Sequence, residues 1–147
     1  MPHHSSRIIL PALFLILASA FAAEPDVFVP GDVKLLSAGP GIDLRELVDR
    51  EAKVKSEAYS IALFTLAAGQ GMPRSYNQVS EEVFLVASGR GEVTLDGKIT
   101  AVAAGATVII KPKVRHTIKA AAGEALAFYA ISVPAYSRED YVLSPVK

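Results

Sequence analysis

From Ser56 onward, apolar residues recur in short runs separated by turn formers, not along a helical stripe. Ala58 to Leu66 carries Tyr59, Ile61 and Leu63 on one parity and Ala62, Phe64 and Leu66 on the other. Apolar residues on both parities predict a strand covered on both sides. Ala67 to Pro73 is a glycine-rich loop, and Arg74 to Gln78 is polar. Glu82 to Ala87 and Glu92 to Leu95 are Val/Leu-rich runs separated by Gly89-Arg90-Gly91, and the second ends at Asp96-Gly97. Asp-Gly between such runs predicts a type I′ hairpin, so this stretch reads as an antiparallel meander. Lys98 to Val102, Thr107 to Ile110, Arg115 to Lys119 and Leu126 to Val133 follow, and Pro134 ends the last. About eight short strands at this spacing predict an all-β barrel or sandwich over residues 56–134, with residues 135–147 as a tail whose Tyr136 and Tyr141 pack outside.

The first third is different. Residues 23–55 form an irregular lead-in punctuated by Pro25, Pro30, Gly31, Gly39 and Pro40. Val27 to Val29 and Val33 to Leu36 are candidate edge strands. Asp43 to Lys53 is the one predicted helix: Asp43 and Glu46 have capping-box spacing, and Leu44, Leu47 and Val48 share a helical face. Before this, Arg7 is followed by the apolar run Ile8 to Leu17, interrupted only by Pro11, and then by Ala-x-Ala sequences at Ala18 to Ala20 and Ala20 to Ala22. That layout is a secretory signal peptide over residues 1–22. The run is shorter than the roughly 20 apolar residues of a membrane span, so no membrane insertion is expected after cleavage, and the product should be periplasmic or extracellular.

Composition sharpens the picture once that segment is set aside. His3 and His4 lie within it, leaving His116 as the remaining histidine. Of 15 Lys and Arg residues only Arg7 lies there, and none of the 15 acids does, so the remainder is one charge negative. Such a balance offers no electrostatic footprint for nucleic acid. There is no cysteine, which excludes disulfides and thiolate metal ligands. The remaining length suits one domain with a single core.

The stretch Gly71 to Gly97 resembles the first motif of the cupin family, which runs Gly, five residues, His-x-His, three or four residues, Glu, six residues, Gly. Glu82 and Gly89 have that spacing, whereas Ser75 and Asn77 stand at the two histidine positions. Gly105 opens a counterpart of the second motif, with Lys111-Pro112-Lys113 in place of Pro-x-Gly, His116 at the histidine and Ala120 at the asparagine. The resemblance implies an antiparallel cupin-type β-barrel (a double-stranded β-helix, jelly-roll-like) preceded here by the short helix. It also implies a pocket lined by Ser75, Asn77, Glu82 and His116, and pairing as a homodimer. In metal-binding cupins those four positions hold a divalent transition metal. Here a serine hydroxyl and a neutral amide replace two imidazoles, so no tightly bound metal is expected. Any ion would be held by Glu82, His116 and Asn77.

Each residue also has a structural reading. Glu82 and His116 satisfy one another as an ion pair, or Glu82 faces solvent beside Glu81 if the register shifts by one. Ser75 and Asn77 serve as turn residues. Lys111, Lys113 and Arg115 form a solvated loop cluster, or an anion contact at the pocket rim. Three functions follow. The first is a binding protein for a small polar ligand; the second is a weakly metal-dependent oxygenase, isomerase or lyase; the third is a structural or dimerising module.

Overall fold

A computed structural model describes residues 27–144, so the expected signal peptide over residues 1–22 lies outside the described residues. Among these, one 3₁₀ turn, Pro30–Asp32, precedes twelve strands. They are β1 (Leu36–Gly39), β2 (Ile42–Asp49), β3 (Val54–Lys55), β4 (Ser60–Leu66), β5 (Ser75–Asn77), β6 (Glu81–Ser88), β7 (Arg90–Leu95), β8 (Lys98–Ala103), β9 (Thr107–Ile110), β10 (His116–Ala120), β11 (Leu126–Val133) and β12 (Tyr141–Leu143). The all-β expectation therefore stands.

The strands build two sheets. One runs β1-β2-β4-β11-β6-β9, with β3 added in parallel beside β2; the other runs β12-β5-β10-β7-β8. Apart from β2–β3, the strand pairs are antiparallel. The expected closed barrel is not what forms. No ladder among the described residues joins an edge of one sheet to the other, so this is a two-sheet, jelly-roll-like sandwich.

Alternation explains which residues meet between the sheets. Along β11, Leu126, Phe128, Ala130 and Ser132 are buried while their neighbours are more exposed, the period of two of a strand with one face inward. Leu66, Ile110, Ile118, Leu126 and Phe128 are almost completely covered and centre the core. Each such side chain contributes about 1.5–3 kcal/mol of burial.

Three local expectations are corrected. Asp43 to Lys53 is not a helix: Ile42–Asp49 is a strand between β1 and β4, with a register shift between Glu46 and Val48. That shift lets Leu44, Leu47 and Val48 satisfy a strand as well as a helical face. Ladder pairing on both sides outweighs the weak propensity of an eleven-residue helix. Second, Gly89 does not close a hairpin. β6 pairs with β11 and β9, and β7 pairs with β10 and β8, so the chain passes from one sheet to the other at Gly89. Gly89 has φ of +81°, and a Cβ there would sit 2.0 Å from the Ala125 carbonyl oxygen. Third, Val27 to Val29 forms no strand, and Leu36–Gly39 is the first. The Asp96-Gly97 turn does join paired strands, β7 and β8, with φ of 44° and 90° as a type I′ turn requires.

The chain after Pro134 does more than trail. Tyr141–Leu143 pairs with β5, setting Tyr141 opposite Asn77 and Leu143 opposite Ser75. Asp140 secures this strand by accepting hydrogen bonds from the Val79 and Ser80 amides and the Ser80 hydroxyl.

Candidate functional site

Ser75 and Asn77 sit two apart on β5 and are both buried, so their side chains leave the strand on one side, toward the interior. β5 lies beside β10, where Ser75 is directly opposite His116. Glu82 comes from the other sheet, on β6, opposite Ser132 of β11. The four residues singled out from the sequence thus converge from both layers although they span more than forty positions.

His116 is 4% exposed. Its Nε2 lies 3.2 Å from Glu82 Oε2, and its Nδ1 lies 3.0 Å from the Val114 carbonyl oxygen. A carbonyl only accepts, so Nδ1 carries a proton. A second proton on Nε2 lets the ring donate to the carboxylate as well. Burial works against that charged form and is the largest single influence. The hydrogen bond and charge of Glu82, with the Val114 bond, outweigh it and hold the His116 pKa above its ordinary value. The amide of Asn77 donates to the same carboxylate oxygen at 3.2 Å. The His116 and Asn77 contacts are both to Glu82 Oε2, and Oε1 makes no hydrogen bond among the described residues.

That interior is a cavity of about 420 Å³. Ser75, Glu82, His116 and Ser132 line one end, and Met72, Phe84, Ile118 and Phe128 form its apolar wall. Phe84 meets His116 edge-on at 5.8 Å and Phe128 at 4.8 Å. The other end is lined by Glu46, Tyr136, Arg138 and Tyr141. Sequence reasoning missed these four, because Glu46 was read on a helix and the rest on a tail. The acid's alternation with Leu44 and Val48 was the signal available.

The basic cluster beside Pro112 is spread over the surface. Lys111 pairs with Glu81, and Arg115 pairs with Asp96 at 3.3 Å. Lys113 holds a left-handed backbone at φ of 68°, its amide donating to the Asn77 carbonyl at 2.6 Å. These bonds fit the structural reading of that loop.

The donor set does not fit a tightly held transition metal. It comprises one imidazole whose Nε2 already faces Glu82, one carboxylate, and an amide that presents its NH₂ to that carboxylate. Among the described residues, no three His, Cys, Asp or Glu side chains gather around one point.

Comparison with known proteins agrees with this architecture. A cupin domain family model matches residues 62–132. An uncharacterized protein of Methanocaldococcus jannaschii is 32% identical over 100 residues, covering 68% of this chain and 79% of that protein. Similar folds include a Streptomyces PAC13 variant with uridine (16% identity, TM-score 0.68, covering 83% of this chain and 92% of the other). They also include the polyketide cyclase RemF of Streptomyces resistomycificus (17% identity, TM-score 0.70, covering 84% and 88%). A third is a cupin-2 domain of Rhodospirillum rubrum (20% identity, TM-score 0.66, covering 83% and 81%). With the paired sheets, the Glu82 to Gly89 spacing and His116 facing the same interior, the chain belongs to the cupin superfamily.

Proposed function

We propose that this is an exported cupin that binds a small, polar-headed molecule in its interior cavity without a tightly held metal. The observation that carries this is the Glu82–His116 pair, buried at one end of a cavity of about 420 Å³ and flanked by Ser75 and Asn77. When His116 is protonated the pair is internally neutral, because imidazolium and carboxylate offset one another. The free Glu82 oxygen and the nearby hydroxyls then offer both acceptors and donors to an uncharged polar group. Thermal stabilisation across a panel of small metabolites tests it, since a guest that binds only the folded chain raises Tm. A hit should raise the wild-type Tm and lose most of that effect in His116→Gln. A hit unaffected by His116→Gln and Ser75→Ala would place binding elsewhere.

A second reading is favoured by the same pair. A histidine whose pKa is raised by a carboxylate and which faces a cavity is equipped to give and take a proton, the chemistry of lyases and isomerases. Structural relatives include a nucleoside dehydratase and a polyketide cyclase. Turnover of a stabilising ligand, lost in Glu82→Gln, selects this reading over simple binding.

A further inference from the structure

The cavity faced by His116 has a second end, and the ladders say how far away it is. Glu46 pairs with Ala62, Ala62 with Ala130, and Ala130 with Phe84, so the four form one rung across the larger sheet. The neighbouring rung is Ser60, Ser132 and Glu82. Glu46 on β2 and Glu82 on β6 are therefore three inter-strand spacings apart, about 14 Å along the sheet. Between them the two alanines project only a methyl each, and the cavity passes over them. Its wall is aromatic there: Phe64 stacks on Phe128 at 5.4 Å, and Phe84 completes the cluster.

Glu46 is half-buried and has no hydrogen bond or ion pair among the described residues. Burial, reinforced by the nearby Asp49 carboxylate, pushes its carboxyl pKa up. Tyr136 and Tyr141, with rings 6.1 Å apart, stand at this end, and exposed Arg138 lies at the rim, where water screens its charge. A half-buried carboxyl without a protein partner keeps accessible oxygens, acceptors that a guest can engage.

We propose that Glu46 is a second anchor, and that the cavity takes an uncharged, elongated molecule with an aromatic middle and a hydroxyl at each end. This rests on the reading of the Glu82–His116 end as the ligand's polar seat. One hydroxyl meets Glu82, Ser75 and Ser132; the ring lies over Ala62 and Ala130 against the phenylalanines; the other hydroxyl donates to Glu46. An anionic end is disfavoured, because each terminus presents a carboxyl oxygen.

Three probes separate the parts: 4-(2-hydroxyethyl)phenol, 2-phenylethanol, which lacks the ring hydroxyl, and 4-hydroxyphenylacetate, whose other end is charged. Calorimetric titration of the folded chain should show the first binding about tenfold tighter than either of the others, the difference expected for one hydrogen bond to a charged acceptor. Glu46→Leu keeps the volume and removes the acceptor, so that preference over 2-phenylethanol should shrink to within about threefold. Glu46→Gln, which restores an acceptor, should recover part of it. His116→Gln should weaken all three. An unchanged preference in Glu46→Leu overturns the second anchor while leaving the His116 seat standing. Tighter binding of 4-hydroxyphenylacetate overturns the uncharged class. No binding of any probe to wild type overturns the elongated aromatic class, while the thermal-shift panel and His116→Gln decide the His116 seat separately. If Glu46→Leu fails to fold, Ala62→Leu, which plugs the passage between the ends, should abolish the same preference, and a preference that survives it overturns the proposal.

Discussion

Both ring nitrogens of His116 face acceptors, and that arrangement has a pH signature. The folded-state pKa is raised above the unfolded value near 6.5, so the folded chain holds its proton longer than the unfolded one. The resulting stabilisation is fully present below about pH 6.5 and is lost as pH rises through the folded value. Replacing Glu82 by Gln removes the charge that overcomes burial, while burial itself remains. His116 should then titrate below its ordinary value, and its effect on the pH dependence should change sign. Wild-type Tm should fall from pH 6 to pH 8 relative to Glu82→Gln, whose Tm should hold or rise. An NMR titration of the His116 ring gives the direct check. A ring that titrates as a solvated histidine in both proteins removes the pair from the account.

At the scale of the element, β5 carries the argument. Ser75 and Asn77 share one face, Ser75 is opposite His116, and Asn77 reaches Glu82. The double substitution Ser75→His, Asn77→His should therefore bring three imidazoles and one carboxylate together, a set suited to Ni or Zn. Calorimetric titration should show affinity rising at least a thousandfold over wild type, about 4 kcal/mol. Without metal, two larger rings in buried positions should cost about 1–3 kcal/mol. A folded double mutant with no gain would mean that β5 does not present these positions to Glu82. That geometry was legible beforehand, because strand parity and motif spacing both survive as local patterns. Strand boundaries from Ser60 to Val133 were legible for the same reason, except β5, where Arg74 to Gln78 read only as a polar stretch. What escaped was decided by tertiary partners. Leu44, Leu47 and Val48 fit a helix or a bulged strand equally, and only β1 and β4 decide between them. Gly89-Arg90-Gly91 announces a turn but not which sheet receives β7. Tyr141–Leu143 is too short to show periodicity, and its pairing with β5 is set by Asp140 from a distance of sixty residues in sequence. The missed half of the cavity follows from those two failures, since Glu46 rides on β2 and Tyr141 on β12.

Across the whole molecule, the outer face of the larger sheet remains to be explained. Tyr129 and Leu85 are paired neighbours there, as are Ile131, Val83 and Ile109 in the adjacent row. Leu85 is 38% exposed, Ile109 55%, and Val133, at the end of the same strand as Ile131, 54%. Apolar side chains in adjacent rows of one sheet form a continuous patch, unlike scattered exposed leucines. We propose that a second copy of the chain covers it. Rotation about a two-fold axis through the patch lays each apolar row on its own equivalent, which is the self-complementarity an isologous contact needs. Charged side chains stand at the borders of the patch: Arg45 continues the Tyr129 row beyond Leu63, and Glu81, paired with Lys111, is opposite Val133. Placing a carboxylate in the middle, as in Ile109→Glu, would bury two like charges near the axis and should shift a dimer to monomer by about a hundredfold or more in Kd, roughly 3 kcal/mol. Because Ile109 points away from the core, the variant should keep its fold and its cavity. Light scattering at matched concentration should find wild type at twice the chain mass and Ile109→Glu at one chain mass, both with the same ligand-induced rise in Tm. A wild type that is monomeric at high concentration, or a dimer indifferent to Ile109→Glu, would move the interface off this face.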